Sequence, residues 1–147
     1  MNRELERGQS LVEMALLMPI LVLILMALFD FGRAIYAYNT VSNAARDGVR
    51  LAIVDQRTSG STYLAAIEAA NQATGLGLDP TDASEVLVQF PNPLSNCSSP
   101  GIGCPVSVKV SYQFSPITPI ISSIIGPFEV SSTTELPIEN TRTGAAP

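Results

Sequence analysis

The sequence predicts an α+β fold, in which one long N-terminal helix packs on a small antiparallel sheet of about three strands. Three observations predict it. Residues 14–29, MALLMPILVLILMALF, run sixteen positions without a charge. Beyond them, Ala34, Tyr38, Val41, Ala45, Val49 and Ala52 recur at spacings of three or four, the period of a helix that buries one face. Further on, Val106, Val108, Val110, Tyr112 and Phe114 alternate with Ser107, Lys109, Ser111 and Gln113, the period of a half-buried strand.

Composition narrows the function before any motif is read. The chain has 147 residues, one domain's worth by length. Hydrophobic residues make up 46% and charged residues only 14%, against about 25% charged in an ordinary soluble domain. Part of this chain is therefore not built for water. With 8 basic and 13 acidic residues the net charge is −5, which speaks against nucleic acid as a partner, because that needs a basic footprint. There is no histidine, so a Ser-His-Asp triad, a Cys-His dyad and a His-ligated metal are excluded. Two cysteines alone do not build a structural zinc site. A serine paired with the single lysine, Lys109, would need that lysine buried, and strand alternation turns it outward. No glycine motif of the phosphate-cradling kind and no internal repeat occurs. No catalytic residue, cofactor or metal is expected, and the chain does not read as an enzyme.

The first element is the apolar stem. With Leu11 and Val12 added, and Glu13 tolerated, the stretch 11–29 has 19 residues. A membrane-spanning helix takes about 20, with about 17 as the lower limit. Arg3 and Arg7 lie just ahead of it, which predicts a cytoplasmic N-terminus and an outward remainder. A cleavable secretory signal is the rival, but it has an apolar core of about 7–15 residues and a small-x-small exit. Here Asp30-Phe31-Gly32-Arg33 follows instead. Glu13 either sits at headgroup level, where a charge costs little, or awaits a cation. Pro19 removes one helix bond and crowds the carbonyl of Ala15, giving a kink or a point where the helix loosens. A cut after Gly8 would supply the cation as a new α-amine at Gln9, with a pKa of about 7.7–8.0. In staggered stems Glu13 of one subunit would meet the amine of the next. That pairing would fix register, because an unpaired buried charge is costly.

The helix is expected to continue to Val54, since Gly32 and Gly48 each cost only about 1 kcal/mol against alanine. From Val12 it would be roughly 65 Å long. Half the apolar stripe is alanine, which suits close packing. Thr40, Asn43, Asp47 and Arg50 form the opposite stripe, and Asp30 with Arg33 and Asp47 with Arg50 stand at pairing distance in sequence. Residues 55–61 read as a loop. Ser61 or Thr62 would cap a second helix running to about Thr74, with Tyr63, Leu64, Ile67 and Ala70 as its apolar face, stopped by Gly75 and Gly77. Residues 85–90, EVLVQF, read as the first strand, 106–114 as the second, and 128–136 as the third, with Phe128, Val130 and Leu136 on one face. Between the last two, 115–127 reads as a proline-rich loop with one helical turn. Residues 138–147 read as a frayed polar tail. Cys97 and Cys104 flank six residues in a Pro/Gly-rich loop. Outside the cytoplasm an oxidising setting favours a disulfide between them, and a redox-active pair usually has the shorter C-x-x-C spacing.

Gly8-Gln9-Ser10-Leu11-Val12-Glu13 resembles the type IV prepilin cleavage pattern: glycine before the cut, glutamate fifth after it, and a hydrophobic helix following. Residues 7–54 more specifically resemble the TadE-like family of tight-adherence pilus proteins. The residues carrying this are Arg7 to Glu13, Phe31-Gly32-Arg33-Ala34, Tyr36-Ala37-Tyr38 and Asn43-Ala44-Ala45-Arg46-Asp47-Gly48-Val49-Arg50. Met14 stands where the family often has an aromatic, and Asp30 where it often has glutamate. The resemblance implies the pilin plan: a leader at 1–8, a long helix at 9–54 with its membrane segment at 11–29, and an extracytoplasmic α/β domain at 55–147. It implies cleavage between Gly8 and Gln9 by a prepilin peptidase. The implied partners are membrane lipid first, then major and minor pilins and the inner-membrane assembly platform, and the end point is an extracellular pilus. The alternative is a membrane-tethered adhesin that contacts a surface through loops 91–105 and 115–127.

Overall fold

The computed structural model describes residues 3–90, 97 and 101–143, with side chains from Gln9 onward. Met1 and Asn2 of the expected leader, residues 91–96 and 98–100 of the expected contact loop, and the last four residues of the tail lie outside the described residues. The elements in order are α1 (Arg3–Ala52), β1 (Thr58–Ser59), β2 (Thr62–Tyr63), α2 (Leu64–Gln72), a 3₁₀ turn (Thr74–Leu76), β3 (Val86–Gln89), β4 (Pro105–Phe114), α3 (Pro119–Ile125) and β5 (Phe128–Pro137). The fold is α+β, with a long N-terminal helix and small antiparallel sheets, consistent with a pilin-like plan. Residues group into two compact units: 1–35 with 115–127, and 36–114 with 128–147.

In the second unit, α1 packs through its small residues. Val41, Ala44, Ala45, Val49 and Ala52 join Ala65, Ala66, Ala69, Ala70 and Ala73 of the α2 region and Val86, Val106, Val108 and Val110 of the sheet in one core. Small side chains let backbones approach closely, and Gly48 marks the tightest point. A Cβ placed there would lie 2.9 Å from Ala69 Cβ, 3.1 Å from the Ala65 carbonyl oxygen and 3.1 Å from Val108 Cγ1. Four of the six expected members of the stripe are buried, and Ala34 is only half-buried. Tyr38 is 58% exposed, and Ala37 and Ala44 are buried instead. A tyrosine does not fit where alanines set the spacing, so the helix turns its smaller neighbours inward.

The three-stranded sheet has order β3-β4-β5, antiparallel throughout. Val86 pairs with Val110 on one side of β4, and Phe114 pairs with Phe128 on the other. As the central strand, β4 buries Val106, Val108 and Val110 on the core side and also Ser107 and Ser111 on the other. Lys109 points outward as alternation requires, and its Nζ lies 3.2 Å from Glu129 Oε1. The loop between α1 and α2 is more ordered than expected. Residues 58–63 form a two-strand hairpin, Thr58 opposite Tyr63 and Ser59 opposite Thr62. Its turn uses Gly60 at φ +64, a left-handed conformation that glycine adopts without strain.

That hairpin also displaces the expected helix cap. Ser61 and Thr62 do not cap α2: its N-cap is Tyr63, with no side-chain cap bond. The Leu64 N–H donates to the Arg57 carbonyl at 3.0 Å across the hairpin base, so one first-turn donor is satisfied by backbone. The buried face of α2 is Ala65, Ala66, Ala69 and Ala70, while Tyr63, Leu64 and Ile67 are only half-buried.

The expected frayed tail is, over 138–142, a strap. Ile138 is 2% exposed. Its N–H donates to the Cys104 carbonyl, and its carbonyl accepts from the Gly103 N–H, each at 2.8 Å. Glu139 and Asn140 donate to the Ile53 carbonyl at 2.9 and 3.1 Å. Gln56 donates from its backbone to the Arg142 carbonyl at 2.8 Å and accepts the Arg142 N–H on Oε1 at 2.9 Å. Cys97 and Cys104 are joined in a disulfide, with Cα atoms 5.8 Å apart.

Asp55 anchors the start of the same region. Arg57 Nε donates to its Oδ1 at 2.9 Å and Arg57 Nη2 to its Oδ2 at 2.7 Å. These bonds from Arg57 hold the Asp55 carboxyl below the usual carboxylate range.

Candidate functional site

Along residues 9–29 of α1 the side chains are exposed, with Ala27 alone half-buried. Leu11 is 72% exposed and Phe29 74%. The most apolar window has a mean hydropathy of 2.7 and none of it is buried. Water does not tolerate an unbroken apolar rod of this kind, and lipid or other apolar helices do. This is the one helix among the described residues long and apolar enough to cross a membrane.

The expected processing residues lie at the start of this rod. Gly8 and Gln9 are inside α1, and Glu13 is exposed on the same helix. Gln9 and Glu13 stand four residues apart, so they share a face one turn apart. α1 runs without interruption through Pro19, so the lost bond at that position does not end the helix.

At the far end of the rod stands a residue whose role the sequence only half disclosed. Asp30 is 6% exposed. It accepts the expected bond from Arg33 Nη1 at 3.1 Å. It also accepts the backbone N–H of Ile117 on Oδ1 at 3.1 Å and that of Thr118 on Oδ2 at 2.8 Å. The Thr118 hydroxyl turns to the same carboxylate. Two N–H groups just ahead of α3, where Pro119 opens the helix, are thus satisfied by a residue of α1. Nothing local announces this, because the partners are 87 and 88 positions apart.

The exposed stripe of α1 lines an open polar groove of about 370 Å³ with Tyr36, Thr40, Asn43, Arg46, Asp47, Arg50 and Gln72. The expected Asp47–Arg50 pair is present, at 3.3 Å. No group of three or more His, Cys, Asp or Glu side chains is placed to hold a metal among the described residues.

Residues 8–50 match the family model of TadE-like protein. No curated protein and no solved structure matches the chain. The TadE-like segment begins at the glycine before the expected cut and ends at Arg50, within the last turn of α1. It therefore covers the exposed rod, Asp30 with Arg33, and the alanine-rich packing face, and it leaves α2 and the sheet outside. The TadE-like family is pilus-related and structural, not enzymatic. An N-terminal rod able to span a membrane is consistent with that.

Proposed function

We propose that the protein is a structural pilin or pseudopilin subunit of a tight-adherence, type IV-like pilus. It enters the inner membrane as a prepilin, with its N-terminus in the cytoplasm and residues 55–147 outside. A prepilin peptidase cuts between Gly8 and Gln9, and the subunit then passes into a filament used in surface adhesion, with major and minor pilins and the assembly platform as partners. The observation that carries this reading is the exposed, uncharged rod, which opens on Gly8-Gln9 and Glu13 within a TadE-like segment.

The physics of assembly follows from the rod. Moving it from lipid into a bundle of similar rods changes little hydrophobic free energy, because lipid tails are as apolar as leucine. Close packing of small side chains and the pairing of Glu13 with the new Gln9 amine must then decide association. No catalytic residue is needed for this role.

The experiment is substitution of Gly8 by a bulky residue, Gly8→Phe, followed by a gel of the membrane fraction. The proposal expects only the longer, uncut chain. A band of mature size from the variant contradicts cleavage at this site.

A further inference from the structure

Residues 115–127, Ser-Pro-Ile-Thr-Pro-Ile-Ile-Ser-Ser-Ile-Ile-Gly-Pro, carry no charge across thirteen positions. They join β4 to β5, yet they group into one compact unit with residues 1–35. Four of their five isoleucines, Ile117, Ile120, Ile124 and Ile125, are exposed, and Ile121 is half-buried. Ile124 is 77% exposed, the highest value of any large hydrophobic side chain among the described residues, and Ile117 is 67% exposed. In α3, Ile120 with Ile124 and Ile121 with Ile125 stand four apart, so each pair shares a helix side, and Ser122 and Ser123 fall between them. A contiguous apolar patch of this kind on a strand connection marks a contact surface.

Asp30 fixes where that surface lies. By accepting the Ile117 and Thr118 N–H groups it fastens the segment to the residue immediately after Phe29, the last of the uncharged run. Arg33, bonded to the same carboxylate, is the first cation after that run. A cation there sits naturally at headgroup level, so the segment starts at the depth where the hydrocarbon ends.

We infer that residues 115–127 are a second membrane contact: α3 lies in the outer-leaflet interface with its isoleucines toward the acyl chains, held to the exit of the spanning helix by Asp30. This rests on the reading of 11–29 as membrane-spanning. Lipid is the occupant that the observations favour over a second copy of the chain. The patch continues the lipid-facing rod within the same unit, and it carries no charged group to select or orient a protein partner.

The chain has no tryptophan, so Leu21→Trp, Ile102→Trp and Ile124→Trp each introduce a single reporter. The full chain is reconstituted into phosphatidylcholine–phosphatidylglycerol vesicles containing lipid brominated either near the carbonyls or deep in the acyl chains. Ile124→Trp is expected to emit blue-shifted light and to lose more intensity to the shallow bromines than to the deep ones. That matches a depth of about 5–10 Å below the headgroup boundary. Leu21→Trp is expected to be quenched chiefly by the deep bromines, and Ile102→Trp by neither. If Leu21→Trp is quenched and Ile124→Trp is not, the inference is overturned and the spanning rod stands. Red emission at position 124 then means water, and blue emission means cover by another copy of the chain. If Leu21→Trp is also unquenched, the rod does not span, and this inference falls with that reading.

Discussion

At the scale of single residues, Gly48 and Asp55 carry the sharpest expectations. Gly48 has no room for a side chain between Ala69, Ala65 and Val108. Gly48→Leu should cost about 1–3 kcal/mol through overpacking, despite the better helix propensity of leucine. A urea titration of the full chain in detergent measures it, and an unchanged midpoint would mean that the three elements are not so close. Asp55 is held below its ordinary range by Arg57. A carboxyl depressed in the folded state stabilises fully above its unfolded pKa of about 3.9 and loses that contribution as the pH falls through the folded value. The fall in stability on acidification below about pH 4 should therefore be shallower in Asp55→Asn than in the native chain. Asp79, Asp82 and Glu129 are held low as well, chiefly by hydroxyl donors from Thr81, Ser84 and Ser111, so the variant keeps part of the slope. Equal slopes would remove Asp55 from the account.

At the scale of elements, what was legible divides by how each element signals itself. The rod was readable because a run without charge needs no knowledge of its partner. β4 was readable because valines alternating with polar residues over nine positions fit a strand and no helix. The inward face of α2 was readable only at Ala70, since Ala65, Ala66 and Ala69 carry little hydrophobic signal beside the larger Leu64 and Ile67. Choosing Tyr38 for the α1 stripe failed for the same reason, because size was weighed above the spacing that Gly48 and the alanines impose. The strap at 138–142 was missed because its restraint is mostly backbone hydrogen bonding around one buried isoleucine. Ile138→Ala should accordingly cost about 2–5 kcal/mol, which thermal unfolding checks against the native chain, and a truly frayed tail would show no change. The disulfide closes a short ring, and the chain-entropy argument gives it about 2.5 kcal/mol. Reduction, or Cys97→Ser with Cys104→Ser, should lower stability by that order in the same measurement.

At the scale of the whole molecule, the exposed apolar side chains of the rod call for an apolar environment, which on the proposed function is lipid first and other rods afterwards. On the proposed function its acid, Glu13, distinguishes one register from another. Glu13→Ala should leave membrane insertion intact and reduce incorporation into filaments when mutant and native chains are expressed together. Equal incorporation would count against the pairing with the Gln9 amine. The proposed processing residues rest on motif spacing alone, whereas Asp30 and its grip on 115–127 left no local signal, because that site is assembled from positions almost ninety apart. The central claim is that this chain is trimmed at its leader and built into a fibre. Mass spectrometry of purified pili tests it most directly, reading the N-terminus and the stoichiometry of the chain together. The account predicts chains that begin at Gln9 within the fibre. Chains that still begin at Met1 there, or a fibre that lacks this chain while the membrane retains it, would contradict it.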